Sequence, residues 1–142
     1  MDLLLILRDA LASSLAGGLL LALDARKAGQ EVGVVFTQEA LAAVAGGSLA
    51  WPRELSGQEM RYAIADRAAN AGLPIIGRGQ ARHLDVKGLI PQAREAGVSL
   101  YACPIWSSLL DVEGKLPQGI KVLDTDGFLK LIQDAKKAVG SL

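Results

Sequence analysis

The chain has 142 residues, 51% apolar and 4% aromatic, with 15 Lys and Arg against 15 Asp and Glu, so its formal charge is zero. That length supports one core and is short for two, which makes residues 1–142 a single domain. With no basic excess and no interleaving of aromatics with arginines, nucleic acid is not expected as a partner.

The opening run MDLLLILRDALASSLAGGLLLAL invites reading as a signal peptide or membrane span. Arg8 and Asp9 interrupt it just after Leu3 to Leu7, and charge at that depth is costly in hydrocarbon. The first charge is Asp2, where a secretory signal carries Lys or Arg. The expectation is a cytoplasmic protein without membrane insertion. One cysteine, Cys103, allows no internal disulfide, and with the one histidine, His83, it makes no metal-ligand set. No metal and no cofactor is expected.

Residues 3–7 form a continuous apolar run bounded by charge, the pattern of a strand buried on both faces. Residues 9–28 then read as a helix ending at Gly29, with Asp9 as its cap and Arg26 and Lys27 complementing its negative end. Leu11, Leu15, Leu19, Ala22 and Leu23 recur at helical spacing and form a stripe for the sheet. Gly17 and Gly18 sit mid-helix at roughly 1 kcal/mol each against alanine, which implies close approach of another group. Leu20 falls away from the stripe and calls for either a second helix of the same subunit or a subunit contact.

EVGVVFT, residues 31–37, is a second strand, and residues 38–45 a short helix. Two strand-helix units in succession point to a right-handed parallel arrangement. Residues 46–57 are a loop by their glycines and Trp51-Pro52. Ser56 and Glu59 have the spacing of a capping box for a helix reaching about Ala71. In LPIIGRGQARHL, Pro74-Ile75-Ile76 suggests a short edge strand, and Gly77 and Gly79 a loop carrying Arg78, Arg82 and His83. Asp85 can cap a helical segment reaching Ala96, interrupted or started by Pro91. Residues 98–102 are a strand, 105–110 a short helix, 120–123 a strand, and 128–139 a final helix capped by Thr125 or Asp126. The fold class is α/β: a three-layer domain with a parallel sheet of four to five strands flanked by helices, Rossmann- or flavodoxin-like.

In such a sheet the site lies beyond the carboxyl ends of the strands, and Cys103 falls at one. Pro104 biases Cys103 toward extended angles, which are also those of an N-cap, and proline is favoured as the first helical residue. The sulfur is then expected at the positive end of a short helix, a placement that stabilises an anion. The competing reading is a packing residue, since free cysteine is among the most buried types. Arg78, Arg82 and His83 are candidates to support an anionic sulfur, and Trp106 and Trp51 to wall a pocket over it. The run Gly77-Arg78-Gly79-Gln80-Ala81-Arg82 lacks the last glycine of a dinucleotide fingerprint and does not follow the first strand. No phosphate-binding loop occurs, nothing in the spacing argues for a Cys-His protease, and a one-cysteine thiol peroxidase stays open.

Several stretches, in order, resemble the DsrE/DsrF-like family of sulfur-relay proteins. They are the Ala-Gly-x-Glu-Val turn at residues 28–32, Phe36-Thr37, Glu95-Ala96-Gly97-Val98, Ala102-Cys103, Leu109-Leu110-Asp111-Val112 and Gly119-Ile120-Lys121-Val122. The resemblance covers roughly residues 2–45 and 85–140, while 46–84 and the Pro-Ile-Trp after the cysteine depart from the pattern. It implies a parallel α/β sheet, homo- or hetero-oligomers, and a cysteine, here Cys103, that accepts sulfur as a persulfide from a donor and passes it to an acceptor protein. The alternative is a non-catalytic oligomeric binding module in which Cys103 packs.

Overall fold

In the computed structural model, which describes residues 1–140, strand β1 (Leu3–Leu7) is followed by α1 (Ala12–Lys27), β2 (Val32–Phe36), α2 (Gln38–Val44) and α3 (Gln58–Asn70). A small hairpin of β3 (Ile75–Ile76) and β4 (His83–Leu84) leads into α4 (Leu89–Glu95). Then come β5 (Ser99–Ala102), α5 (Pro104–Leu110), β6 (Ile120–Val122), α6 (Thr125–Asp134) and β7 (Lys137–Gly140). The main sheet has the order β6-β5-β2-β1-β7, parallel throughout. This is the expected single α/β domain with five parallel strands. No helix among the described residues is long and apolar enough to cross a membrane.

The central strands show why apolar runs replace alternation. All five residues of β2 are buried, because both faces of the strand are covered. On one face, Leu5, Leu7, Val32, Val34, Phe36, Leu100 and Ala102 pack against α1, α2 and α4. On the other, Leu4, Val35 and Cys103 pack beneath Phe128 and Leu131 of α6. A right-handed crossover accounts for this division: β1, β2, β5 and β6 step in one direction and β7 returns to the far side of β1, so α6 crosses the opposite face. Each fully buried Leu, Val or Phe contributes about 1.5–3 kcal/mol, and the alternation of side chains sets which layer receives it.

Gly18 explains the expected close approach. A Cβ there would stand 2.5 Å from Leu7 Cδ2, so the glycine admits the end of β1 against α1. Gly17 faces open space. Leu11 lies outside the stripe, 39% exposed, just before the helix. Leu20 turns toward α3, lining a small cavity with Ile64, Ala68, Leu73 and Leu84, so the second helix of the same subunit accounts for it.

Three local expectations are corrected. The Ser56–Glu59 capping box does not form, because the Ser56 hydroxyl donates to Arg53 O at 3.0 Å, closing a turn over Arg53–Leu55, and Gly57 takes the cap position. The final helix is capped by Asp124, whose Oδ1 accepts from Gly127 N at 2.6 Å. That helix also stops at Asp134 rather than reaching Val139. Lys136 N donates to Met1 O and Lys137 N to Asp2 O, at 3.0 and 3.2 Å, and the chain joins the free edge of β1 as β7. The Lys136 ammonium on Asp2, 2.7 Å away, fixes the same junction. Pro91 is the third residue of α4, where its missing N–H would have had no partner within the helix.

Candidate functional site

Strand order reverses at β1, which has β2 on one side and the last strand β7 on the other. In open α/β sheets the crevice beyond the carboxyl ends beside such a reversal is the usual place for a site. The loop over residues 46–57 is laced to this end: Ala12 N donates to Ala50 O at 2.8 Å and Ala50 N to Ala10 O at 3.1 Å. Gln38, just past β2, has a φ of 52°, a left-handed conformation that L-residues other than Gly, Asn and Asp rarely adopt and that costs about 1–2 kcal/mol.

Cys103 stands where expected along the chain. It follows β5, its N–H donates to Phe36 O at 3.0 Å, and its φ and ψ of −60° and 132° are those of an N-cap before Pro104. Its side chain makes no capping hydrogen bond. Cys103 is 4% exposed and sits on the α6 side with Leu4 and Val35, with Met1, Ile6, Tyr101, Trp106, Phe128 and Leu131 packed around that cluster. Trp106 therefore borders the sulfur's layer. Trp51 does not; it lines a cavity on the α1 side.

The loop residues proposed to support the sulfur belong to that other side as well. Arg82 is committed to α3: its Nε and Nη2 donate to the two Asp66 carboxylate oxygens at 2.8 and 3.2 Å, and its guanidinium lies 4.3 Å from the Tyr62 ring centroid. Nη1 also donates to Gly79 O, at 2.6 Å. The Arg82 hydrogen bond holds the Asp66 carboxyl below the usual carboxylate range, and Asp66 in turn raises Arg82. Arg78 is exposed, with Ala81 N donating to its carbonyl at 3.0 Å. His83 lies with Trp51 along the α1-side cavity, its Nδ1 3.0 Å from Ala81 O. The hairpin buries Leu84 in the α1-side core, which fixes this placement. The structure thus brings His83 and Trp51 together and sets Cys103 apart from them, while Trp106 packs against both core layers.

Sequence reasoning missed Arg61, Lys87 and Leu49, which line the same cavity of about 410 Å³. The available signal was Arg61 on α3, one turn before Ile64 and thus on the inward face of a helix otherwise poor in buried side chains. No group of three or more His, Cys, Asp or Glu able to hold a metal ion occurs among the described residues.

No family model matches the chain, and no curated protein sequence matches it. Among solved structures, the crystal structure of the ychN protein from E. coli is similar, with a TM-score of 0.61 over 99% of this chain and 100% of that one, at 15% identity. At that identity the likeness carries the fold alone, a parallel α/β arrangement.

Proposed function

We propose that the chain is a sulfur carrier of the relay type, loading sulfur on Cys103 as a persulfide and passing it to an acceptor protein. The observation that supports this most is the position of the chain's one cysteine at the carboxyl end of β5, in a DsrE-like fold. In the loading step the Cys103 thiolate attacks the outer sulfur of a donor persulfide. The donor S–S bond breaks, the donor leaves as a thiolate, and the new S–S bond is on Cys103. An acceptor thiolate then repeats the exchange and restores Cys103. This sulfurtransferase-type chemistry needs no external oxidant or reductant.

With Cys103 4% exposed beside Trp106 of α5 and beneath Phe128 and Leu131 of α6, loading requires local opening of α5 or α6. That helix has seven residues, and its outer face presents Ile105 and Leu109 at 59% and 67% exposure. Val122 and Leu129, on the neighbouring β6 and α6, are also exposed. A second copy of the chain covering this apolar surface makes the protein a homo-oligomer. Leu109→Asp is then expected to lower the mass in solution without loss of helix content. A wild-type monomer at micromolar concentration would end the oligomer reading.

The burial of Cys103 favours a second reading, in which it packs and the chain is an oligomeric binding module. Intact mass after incubation with a persulfide donor separates the two. The carrier gains one sulfur atom when folded, Cys103→Ala gains none, and the loaded protein loses the atom to a thiol acceptor. Gain of sulfur only after denaturation assigns Cys103 to packing.

A further inference from the structure

The cavity on the α1 side lies on the opposite face of the sheet from Cys103 and has its own chemistry. Leu49 and Trp51 form an apolar wall, held by the backbone bonds between Ala50 and residues 10 and 12. Arg61 enters from α3, and His83, Asp85 and Lys87 from β4 and the turn after it. Its volume of about 410 Å³ falls in the range of small-molecule sites, roughly 300–1,000 Å³. An adjoining cavity of about 230 Å³ shares Trp51 and Arg61.

Polar satisfaction in this cavity is incomplete in one specific place. Arg61 Nη2 donates to Gln80 O at 2.7 Å, but its Nε is buried without a hydrogen-bond partner. Guanidinium is a permanent cation with donors only, so a desolvated N–H with no acceptor is unfavourable. Nearby Arg82, by contrast, spends its donors on Asp66 and Gly79. Lys87 Nζ uses one of its three donors on Gly47 O at 2.6 Å. A carbonyl can only accept, so His83 Nδ1 carries a proton toward Ala81 O and Nε2 is the ring nitrogen left over. Asp85 is the carboxylate in the lining, and one of its oxygens already accepts from Gly88 N at 3.1 Å. Arg61 and Lys87 against Asp85 leave one positive charge in excess before His83 is counted.

We propose that this cavity binds a small organic carboxylate, its apolar body against Trp51 and Leu49 and its carboxylate paired with the Arg61 guanidinium and Lys87 Nζ. The aromatic wall favours an apolar body, and the excess of cationic donors in the lining favours an acceptor with negative charge. The site is independent of sulfur chemistry, and Cys103→Ala leaves it intact.

Benzoate is a suitable probe, with benzyl alcohol as its uncharged counterpart and inorganic phosphate as an anion without an apolar body. Titration followed by the NMR shift of the Trp51 indole N–H is expected to saturate with benzoate, with benzyl alcohol at least about 10-fold weaker. Phosphate is expected to bind more weakly than benzoate. Arg61→Gln is expected to weaken benzoate by about 10-fold or more while leaving benzyl alcohol unchanged. Where Arg61→Gln fails to fold, Lys87→Met, at an exposed position, serves the same test with a loss of about 3-fold or more. The proposal is overturned by the absence of saturable benzoate shifts up to about 10 mM. It is equally overturned by wild-type benzoate affinity in the folded variant, or by phosphate binding more tightly than benzoate.

Discussion

Alanine at Gly17 and at Gly18 is the same chemical change at adjacent positions of one helix, yet the packing predicts opposite outcomes. At Gly17 a Cβ meets nothing within 4 Å, so Gly17→Ala gains the helix-propensity difference of about 0.5–1 kcal/mol. At Gly18 the same Cβ lies 2.5 and 2.9 Å from the two Leu7 methyl carbons and 3.3 Å from Leu7 Cγ. The end of a leucine is flexible, but Leu7 is 2% exposed and enclosed between α1 and the sheet, so it has nowhere to turn. Overpacking of this kind costs about 1–3 kcal/mol, which the propensity gain only partly offsets. Gly18→Ala is therefore expected to be neutral to about 2 kcal/mol less stable than wild type, and about 1–3 kcal/mol less stable than Gly17→Ala. Urea unfolding followed by circular dichroism reads the difference directly as a shift in midpoint at unchanged slope. Equal stabilisation by both alanines would refute the packing argument, and with it the placement of α1 that carries Ala12 to the cavity wall.

Other consequences follow from single contacts. Asp124→Ala removes the cap bond to Gly127 N and is expected to cost about 1 kcal/mol by the same unfolding measurement, with no loss attributed to the position if midpoints coincide. Asp66, depressed in the folded chain by Arg82, contributes stability that is present above its unfolded value of about 3.9 and lost as pH falls through the folded value. The NMR shift of Arg82 Nε is thus expected to titrate with a midpoint below about pH 3.9, and a midpoint at or above that value contradicts the pairing. Asp2, held down by its hydrogen bond from Lys136, behaves with the same sign, so acid is expected to loosen the β1–β7 edge. The reading is wrong if residues 136–140 keep their amide protection below pH 3, about a unit under the ordinary carboxylate value.

Strands β1 and β2 were legible because an apolar run between charges or glycines fits a strand covered on both faces of a parallel sheet, and β5 and β6 because each short apolar stretch follows a glycine turn. Strand β7 was not. Its Lys-Ala-Val-Gly continues a plausible helical pattern, and what ends the helix is pairing with Leu3–Ile6, more than 130 residues earlier in the chain. No local window contains that partner. The same limit applied to the sites. Cys103 could be placed at a strand end from Ala102 and Pro104, but which face its side chain takes depends on the sheet's alternation and on α6 crossing behind it. The grouping of Arg82 with the cysteine failed to foresee Asp66 and Tyr62, two residues on a helix whose seat against the hairpin is a tertiary outcome. Arg61 and Lys87 escaped notice because each reads locally as an exposed charge. Only the hairpin and the loop over residues 46–57, folded toward α1, make a cavity of them.

The central claim is that Cys103 can be reached in the folded protein. Thiol labelling of Cys103 as a function of denaturant, with global unfolding measured alongside, tests it most directly. A relay cysteine is expected to label through local opening of α5 or α6, at a rate nearly independent of denaturant at low concentration and at least about 10-fold faster than global unfolding permits. Labelling that follows global unfolding across the whole denaturant range would contradict the account and leave Cys103 as part of the core.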